Sequence, residues 1–242
     1  MNMVRENETV REIALRQPAA IRVFEQFGID YCCGGRKPLA VACDERKLEM
    51  ERVLSALDAA AKGAPEPLKD WSADSLQALS EHIVATHHAY VQRELPRLRD
   101  LAQKVVTRHG GNHAELPAMQ AAVIQIAEEL TQHLAKEERV LFPYIIQMES
   151  YQAGAAPSPH GCFGSVAQPI AMMTQEHDAA GEIMADLRRM SHDYTPPADA
   201  CPTYHAFFNG LREFERDLHQ HIHLENNILF PRALALEIAI AA

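Results

Sequence analysis

Residues 133–143 read HLAKEERVLFP, and residues 221–231 read HIHLENNILFP. Each stretch sets a histidine and a glutamate four positions apart, and each ends in Leu-Phe-Pro. Four positions make about one helical turn, so the two side chains of each pair project from the same helix face. The repeat therefore predicts two helices that each present an imidazole and a carboxylate side by side.

Both pairs lie on apolar stripes that step by three and four residues, the spacing of a buried helix face. The first stripe consists of Val123, Ile126, Leu130, His133, Glu137, Val140 and Tyr144. The second consists of Tyr204, Phe207, Leu211, Phe214, Leu218, His221, Glu225 and Ile228. A buried carboxylate without compensation costs on the order of several kcal/mol. We therefore expect a metal ion at these pairs, whereas Glu138, which falls off the first stripe, is expected to face water.

Two further histidines occupy apolar stripes. His88 lies in the stripe of Val84, Val91, Leu95, Leu98, Ala102 and Val105, and His177 in that of Ile170, Met173, Ala180, Met184 and Leu187. His88 precedes His133 by 45 residues, and His177 precedes His221 by 44. The region is therefore a duplication, in which a helix with one histidine precedes a helix with a His-x-x-x-Glu pair.

The alternative interpretation of each residue is structural. A single core histidine is more often a hydrogen-bonded core residue than a metal ligand, and a His-x-x-x-Glu pair also stabilises ordinary surface helices. Two such pairs on core stripes, each preceded by a core histidine at a matching distance, favour metal binding. Imidazole and carboxylate donors without thiolate suit iron or manganese, with zinc possible. Glu137 and Glu225, one from each repeat, could each bridge two ions.

Length and composition exclude some classes of function. The chain has 242 residues and a formal net charge of −10, which argues against binding to a nucleic-acid backbone. We find no signal peptide and no run of about 20 apolar residues, so a cytoplasmic location is expected. Five cysteines at irregular spacing do not form a disulfide framework. Surface positions are expected for five other histidines: His82, His109, His113, His160 and His192.

The N-terminal part of the chain predicts a small helical domain over residues 1–63, followed by a linker at 64–70. Helices are expected from Thr9 to about Gln17, from Pro18 to Phe27, from Pro38 to Cys43 and from Asp44 to Lys62. Between the second and third lies the stretch DYCCGG, residues 30–35. Its glycines permit a tight turn, which would make Cys32 and Cys33 accessible thiols beside Arg36 and Lys37. Alternatively, the two cysteines are small apolar residues that fill a turn.

The remaining chain, residues 71–242, predicts four long helices. Their expected spans are about 72–109, 115–149, 168–192 and 198–230, the last ending at Pro231. Four long helices with apolar stripes predict an all-α fold, an antiparallel four-helix bundle.

The duplicated His…His-x-x-x-Glu pattern resembles that of hemerythrin-like domains, although we identify no position for the fifth histidine ligand of the oxygen-carrying hemerythrins. The DYCCGG stretch before the bundle, Glu-His-Asp around His177 and Leu-Glu-Asn-Asn-x-Leu-Phe-Pro after His221 resemble the iron–sulfur cluster repair di-iron proteins, the RIC family. The resemblance covers nearly the whole chain. It implies a cytoplasmic protein, expressed under nitrosative and oxidative stress, that restores damaged clusters by supplying iron.

The resemblance also implies the roles of individual residues. Two non-haem iron ions would be held by His88, His133, Glu137, His177, His221 and Glu225, with Glu137 and Glu225 bridging. Cys32 and Cys33 match the family's N-terminal cysteine pair and would take part in iron transfer. Glu129, one turn before His133, and Glu176, next to His177, are candidates to orient imidazoles or pass iron, or else are solvated helix acids.

Three functions remain open at this point: a factor that delivers iron to damaged iron–sulfur proteins, an enzyme that reduces nitric oxide, and a module that binds or senses oxygen or nitric oxide. The cysteine domain favours the first, since a gas carrier has no need of thiols. Nucleic acid and membrane are not expected as partners, and the protein could be a monomer or a homodimer.

Overall fold

The computed structural model describes residues 7–32, 34–63, 69–159, 161 and 163–241. Across these residues the regular structure is helical, which confirms the predicted all-α class. The chain divides into two compact units. One comprises residues 1–74 with 219–231, and the other comprises residues 75–218 with 232–242.

The described part of the N-terminal region contains four helices: α1 (Val10–Arg16), α2 (Ala20–Phe27), α3 (Leu39–Glu45) and α4 (Met50–Gly63). Helix α1 begins with a capping box, in which the Thr9 side chain accepts from the Glu12 amide and the Glu12 carboxylate accepts from the Thr9 amide. Gly28 ends α2 in the left-handed conformation, with φ 65°. The expected helix start at Asp44 is wrong, because the chain turns at Lys47, with φ 54°, before α4 begins.

These helices enclose a small apolar core of their own. Helix α2 packs against α1 and α4, and α3 packs against α4. The core side chains are buried and come from all four helices and the turn after α2: Val10, Ile13, Ala14, Ala20, Ile21, Val23, Phe24, Ile29, Tyr31, Leu39, Ala42, Cys43, Val53 and Leu57. The expected linker at 64–70 falls largely outside the described residues.

The helices that follow in the described chain are α5 (Leu76–Ile83), α6 (Ala89–His109), α7 (Leu116–Lys136), α8 (Phe142–Gln152), α9 (Ala167–Met190), α10 (Pro202–His223) and α11 (Phe230–Ala241). Among the residues that the structure describes, three π-helical segments, Val84–His88, Glu137–Leu141 and Leu224–Leu229, join consecutive helices without a break. Within the second unit, α7 packs against α6 and α9. Helix α10 contacts α6 through Tyr90 and Phe214, and contacts α9 through Arg188 and Glu215.

The π segments shift the buried face of the helices that contain them. Val140, expected in the core, is 42% exposed, whereas Leu141 is 1% exposed. Ile83, rather than the expected Val84, is fully buried. A π turn holds one more residue than an α turn, so the stripe advances by one position where it crosses the segment. The stripes along α6, α7, α9 and α10 are otherwise buried as expected.

The sequence predicted that the last helix ends at Pro231, and this prediction is wrong. Helix α11 begins at Phe230 and continues to Ala241, with Pro231 in its first turn. A proline is tolerated at that position because it lacks only an amide that the first turn leaves unbonded. Among the described residues, none of the helices is both long and apolar enough to span a membrane.

Candidate metal centre

Glu137 lies between two imidazoles that come from different helices. Its Oε2 atom is 3.4 Å from Nε2 of His88, and its Oε1 atom is 3.2 Å from Nε2 of His133. All three side chains are almost completely buried, with Glu137 at 0% exposure. Each carboxylate oxygen thus faces a separate imidazole nitrogen, the arrangement that a carboxylate needs to bridge two metal ions.

His177 joins this group from α9. Its Nε2 atom lies 2.9 Å from Nε2 of His133, and the two rings meet edge to face with their centroids 4.7 Å apart. One donor atom each from His133, Glu137 and His177 lies within 4.8 Å of the others. Four predicted ligands of the second unit therefore converge in its interior.

The π-helical segments carry two of these donors. His88 is the last residue of the first segment, and Glu137 is the first residue of the second. A π turn widens the helix locally and occurs frequently at functional sites. The π segments of the backbone therefore coincide with two of the predicted ligand positions.

The second His-x-x-x-Glu pair lies in residues 219–231, which belong to the first unit. Nε2 of His221 is 3.0 Å from Oε1 of Glu225, and both side chains are buried. Glu225 lies in the third π segment, as Glu137 lies in the second. The repeat seen in the sequence is thus also a repeat of local backbone structure.

Glu138 bonds to the outer nitrogen of His88. Its Oε1 atom lies 2.9 Å from Nδ1 of the imidazole. The expectation that Glu138 faces water is therefore wrong: its side chain is 33% exposed but is used to hold His88. Such a bond fixes the ring orientation and directs Nε2 toward a metal. Glu138 also lines a cleft of about 350 Å³ together with Phe142.

Glu176 contacts His133 rather than its neighbour His177. Its Oε2 atom lies 2.8 Å from Nδ1 of His133, and Lys136 donates to its other oxygen. Burial opposes ionisation of this carboxyl, but the hydrogen bonds from Lys136 and His133 outweigh it and lower the pKa of Glu176. Glu176 and Glu138 thus hold their imidazoles in the same way.

Glu129, the other sequence candidate for this role, does not share this arrangement. It is exposed and accepts a hydrogen bond from Gln125 on the same helix. Four helical positions turn the chain by slightly more than one revolution, which leaves Glu129 on the flank of the stripe that carries His133. The sequence did not predict the contact of Glu138 with His88. The one signal for it in the sequence is the position of Glu138 directly after Glu137.

The turn of residues 30–35, here called the cysteine turn, does not expose Cys32 as the sequence predicted. Cys32 is only 4% exposed, and its Sγ atom lies 3.2 Å from Oδ1 of Asp30. The Asp30 carboxylate also accepts from the amides of Cys32 and Gly34 and so closes the turn. A Cβ atom at Gly35 would lie 2.6 Å from the Tyr31 carbonyl oxygen, so the turn requires glycine there. Cys33 lies outside the described residues.

Tyr31, next to Cys32, packs against residues 219–231 within the same unit. Its ring meets that of His223 edge to face at 5.5 Å, and its carbonyl oxygen accepts from Asn227 Nδ2 at 3.2 Å. Burial is the main reason that the pKa of His223 is lowered to about 4. The imidazole is therefore neutral near pH 7, and its Nδ1 atom lies 2.8 Å from Nδ2 of Asn227.

Comparison with known proteins agrees with these features. Residues 79–233 match the hemerythrin HHE cation binding domain. The chain belongs to this family. Residues 6–61 match a second domain, ScdA_N, whose function is unknown. The iron-sulfur cluster repair protein YtfE of Escherichia coli O157:H7 is 37% identical over 97% of this chain and 100% of its own length. The protein of that name from Shigella boydii serotype 4 is 36% identical over the same shares.

The predicted cofactor, a pair of non-haem iron ions, is confirmed by this membership together with the buried histidine and glutamate donors. Imidazole nitrogen and carboxylate oxygen are donors that suit iron, and no thiolate stands among the six predicted ligands. The predicted resemblance to the cluster-repair family is likewise confirmed by the full-length relatives.

Proposed function

We propose that this protein repairs damaged iron–sulfur clusters by donating iron from a buried di-iron centre. The observation that carries the proposal is the Glu137 carboxylate, whose two oxygens face imidazoles on different helices. Relatives aligned along almost the whole chain bear the name of iron–sulfur cluster repair proteins. The similarity therefore covers both domains of the chain rather than the bundle alone.

We assign six residues as ligands of the two ions. The two ions would be held by His88, His133, Glu137, His177, His221 and Glu225, with Glu137 and Glu225 shared by both ions. Each ion then has two imidazoles and a share of two carboxylates, which leaves coordination positions open. When loaded, the centre would supply ferrous iron, and the open positions would make its transfer to an acceptor easier than from a closed site.

The protein's own groups would control how firmly the iron is held. Glu138 and Glu176 orient His88 and His133, and protonation or displacement of either carboxylate would loosen the corresponding imidazole. Lys136, which donates to Glu176, keeps that carboxylate ionised. The cleft beside Glu138 would give an acceptor a route to the His88 side of the centre.

The cysteine turn would receive iron or pass it on. Two contacts within the first unit support this role, because they hold the turn against the helical stretch that contains His221 and Glu225. Asn227 donates to the Tyr31 carbonyl, and Gln220 donates at 2.7 Å to Glu25, whose carboxylate also accepts from the Tyr31 hydroxyl. The acceptors would be cytoplasmic iron–sulfur proteins with damaged clusters. Because Cys32 is buried, a local opening of the turn must precede any reaction of its thiol.

The test compares iron binding with repair in the same preparations. Protein loaded anaerobically with ferrous iron is mixed with a dehydratase whose cluster has been damaged, and recovery of dehydratase activity is followed. Changing Cys32 and Cys33 together to Ser should leave the iron content unchanged, because neither thiol is a ligand, and should lower the rate of repair. The matched control is Cys43→Ala, a buried free cysteine of the same domain.

Two outcomes would contradict the proposal in different ways. Full repair by the double variant would remove the cysteine turn from the mechanism. Repair by a His133→Ala variant that holds no iron would show that the di-iron centre does not supply the metal. Formation of nitrous oxide from nitric oxide, assayed in the same samples, would instead favour the reductase function.

A further inference from the structure

Two histidines that were expected on the surface lie together at the end of α6. His109 is the last residue of that helix and is only 9% exposed, while the side chain of His113 is 17% exposed. The chain folds back between them, because the His109 carbonyl accepts from the amides of Asn112 and His113 at 2.9 and 3.1 Å. Neither histidine belongs to the two repeats that form the di-iron centre.

Asp199, which precedes α10, completes a group with these histidines. Nε2 of His113 lies 3.1 and 3.2 Å from the two carboxylate oxygens of Asp199. One donor atom each from His109, His113 and Asp199 lies within 4.8 Å of the others. His113 also approaches Glu115, with 3.5 Å between Nδ1 and Oε1.

His109 supplies an independent sign of a ligand. Its Nε2 atom is buried and has no nitrogen or oxygen partner among the described residues. A buried polar atom without a partner costs roughly 1–3 kcal/mol, so its burial needs a reason. Tyr204 packs against both rings, at 5.3 Å from His109 and 5.7 Å from His113, and restricts their movement. The two imidazoles are thus held close together rather than left to rotate in solvent.

A free thiol lies beside the same group. Cys201 immediately precedes α10 and is partly buried. Hydrogen bonding by His109 and by the amide of Tyr204 lowers the pKa of the Cys201 thiol to about 7. The metal-binding group consists of His109, His113 and Asp199, because the Cys201 sulfur is not among the donor atoms that lie within 4.8 Å of one another.

We propose that His109, His113 and Asp199 form a second metal site, which takes a divalent ion of the zinc class. Two imidazoles and one carboxylate, with a fourth position open to water, form a donor set that tetrahedral zinc accepts. The site is independent of the di-iron centre, since it shares none of the six ligands assigned there. It would tie the end of α6 to the start of α10.

The direct test measures zinc binding to the full-length protein that already contains its two irons. Zinc is titrated against a chromophoric chelator, and zinc and iron are then quantified separately. We expect one zinc per chain in addition to the irons. Loss of an outer partner alone weakens a metal site roughly tenfold. His113→Ala and Asp199→Ala should therefore each lower zinc affinity by at least about tenfold, without change in iron content.

The matched control is His205→Ala, which removes an exposed histidine one turn into α10. This variant should bind zinc as the unchanged protein does. The site is refuted if no zinc binds beyond the irons, or if His113→Ala and Asp199→Ala bind it as tightly as His205→Ala does. His113 and Asp199 would then be a hydrogen-bonded pair and nothing more.

Cobalt(II) tests the donor set. Substitution of cobalt for zinc should give the strong visible absorption of a tetrahedral ion, and His113→Ala and Asp199→Ala should weaken that absorption. Cys201→Ala should leave the spectrum unchanged, and a thiolate-to-cobalt band that this variant loses would contradict a site with three protein donors. Helical circular dichroism, measured on every variant, separates loss of the site from loss of folding.

Discussion

His88 is held by two consecutive glutamates, one at each ring nitrogen. Glu137 lies 3.4 Å from Nε2, and Glu138 lies 2.9 Å from Nδ1. The contact with Glu137 lies where a metal would be bound, and the hydrogen bond to Glu138 fixes the orientation of the ring. The pair begins the π segment Glu137–Leu141, so a local change in helix geometry presents both carboxylates to a single imidazole.

Replacing Glu138 by Ala should weaken iron binding, because His88 would lose the hydrogen bond that orients it. Loss of such an outer partner typically lowers metal affinity roughly 10- to 100-fold. The measurement is iron per chain after dialysis against graded concentrations of a chelator. Glu129→Ala is the control, since Glu129 is an exposed glutamate on the same helical run. Equal iron retention by the two variants would remove Glu138 from the site.

Replacing Glu225 by Leu should lower the iron content more than any change at Glu138, because Glu225 is assigned to both ions. The unchanged protein should bind two irons per chain, and these should couple antiferromagnetically through the bridging carboxylates. Iron analysis and magnetic spectroscopy on the same samples measure both properties. Glu129→Leu is the appropriate control, since Glu138 contacts His88. One iron per chain in the unchanged protein would rule out a dinuclear centre.

Replacing Gly35 by Ala should destabilise the cysteine turn. The new Cβ atom would lie 2.6 Å from the carbonyl oxygen of Tyr31, which is backbone and cannot move aside cheaply. Overpacking of this kind costs roughly 1–3 kcal/mol in the free energy of unfolding. We also expect faster alkylation of Cys32, because a looser turn exposes its thiol.

The glycine control is Gly164→Ala, where an added Cβ atom meets nothing within 4 Å. Chemical denaturation and peptide-resolved alkylation measure the two effects. Similar stability and similar Cys32 labelling in both alanine variants would show that the turn tolerates a side chain at Gly35.

Alkylation of Cys201 should reach half of its maximal rate near pH 7. Only the thiolate reacts, so the rate rises with pH through the pKa of the thiol, which hydrogen bonding by His109 and the Tyr204 amide lowers to about 7. Replacing His109 by Gln removes the largest of these causes and should move the midpoint upward. His205→Ala should leave it in place. A midpoint near pH 9 in the unchanged protein would contradict the assigned environment of Cys201.

The sequence determined the fold class and the residues that can supply metal ligands. Spacing along one helix is periodic, so the positions of His133 and Glu137, or of His221 and Glu225, could be assigned to a common buried face without a structure. Local rules also predicted the cap at Thr9 and the helix end at Gly28, because capping involves only neighbouring residues.

Only the tertiary structure decided which groups meet across helices. That Glu138 bonds His88 and that Glu176 bonds His133 depends on how α6, α7 and α9 are packed, and no spacing within one helix encodes it. The π segments moved burial from Val140 to Leu141, a shift that a constant helical period cannot anticipate. The burial of Cys32 likewise comes from a turn closed by Asp30 and from packing around it, which bring together residues that the helical period does not relate.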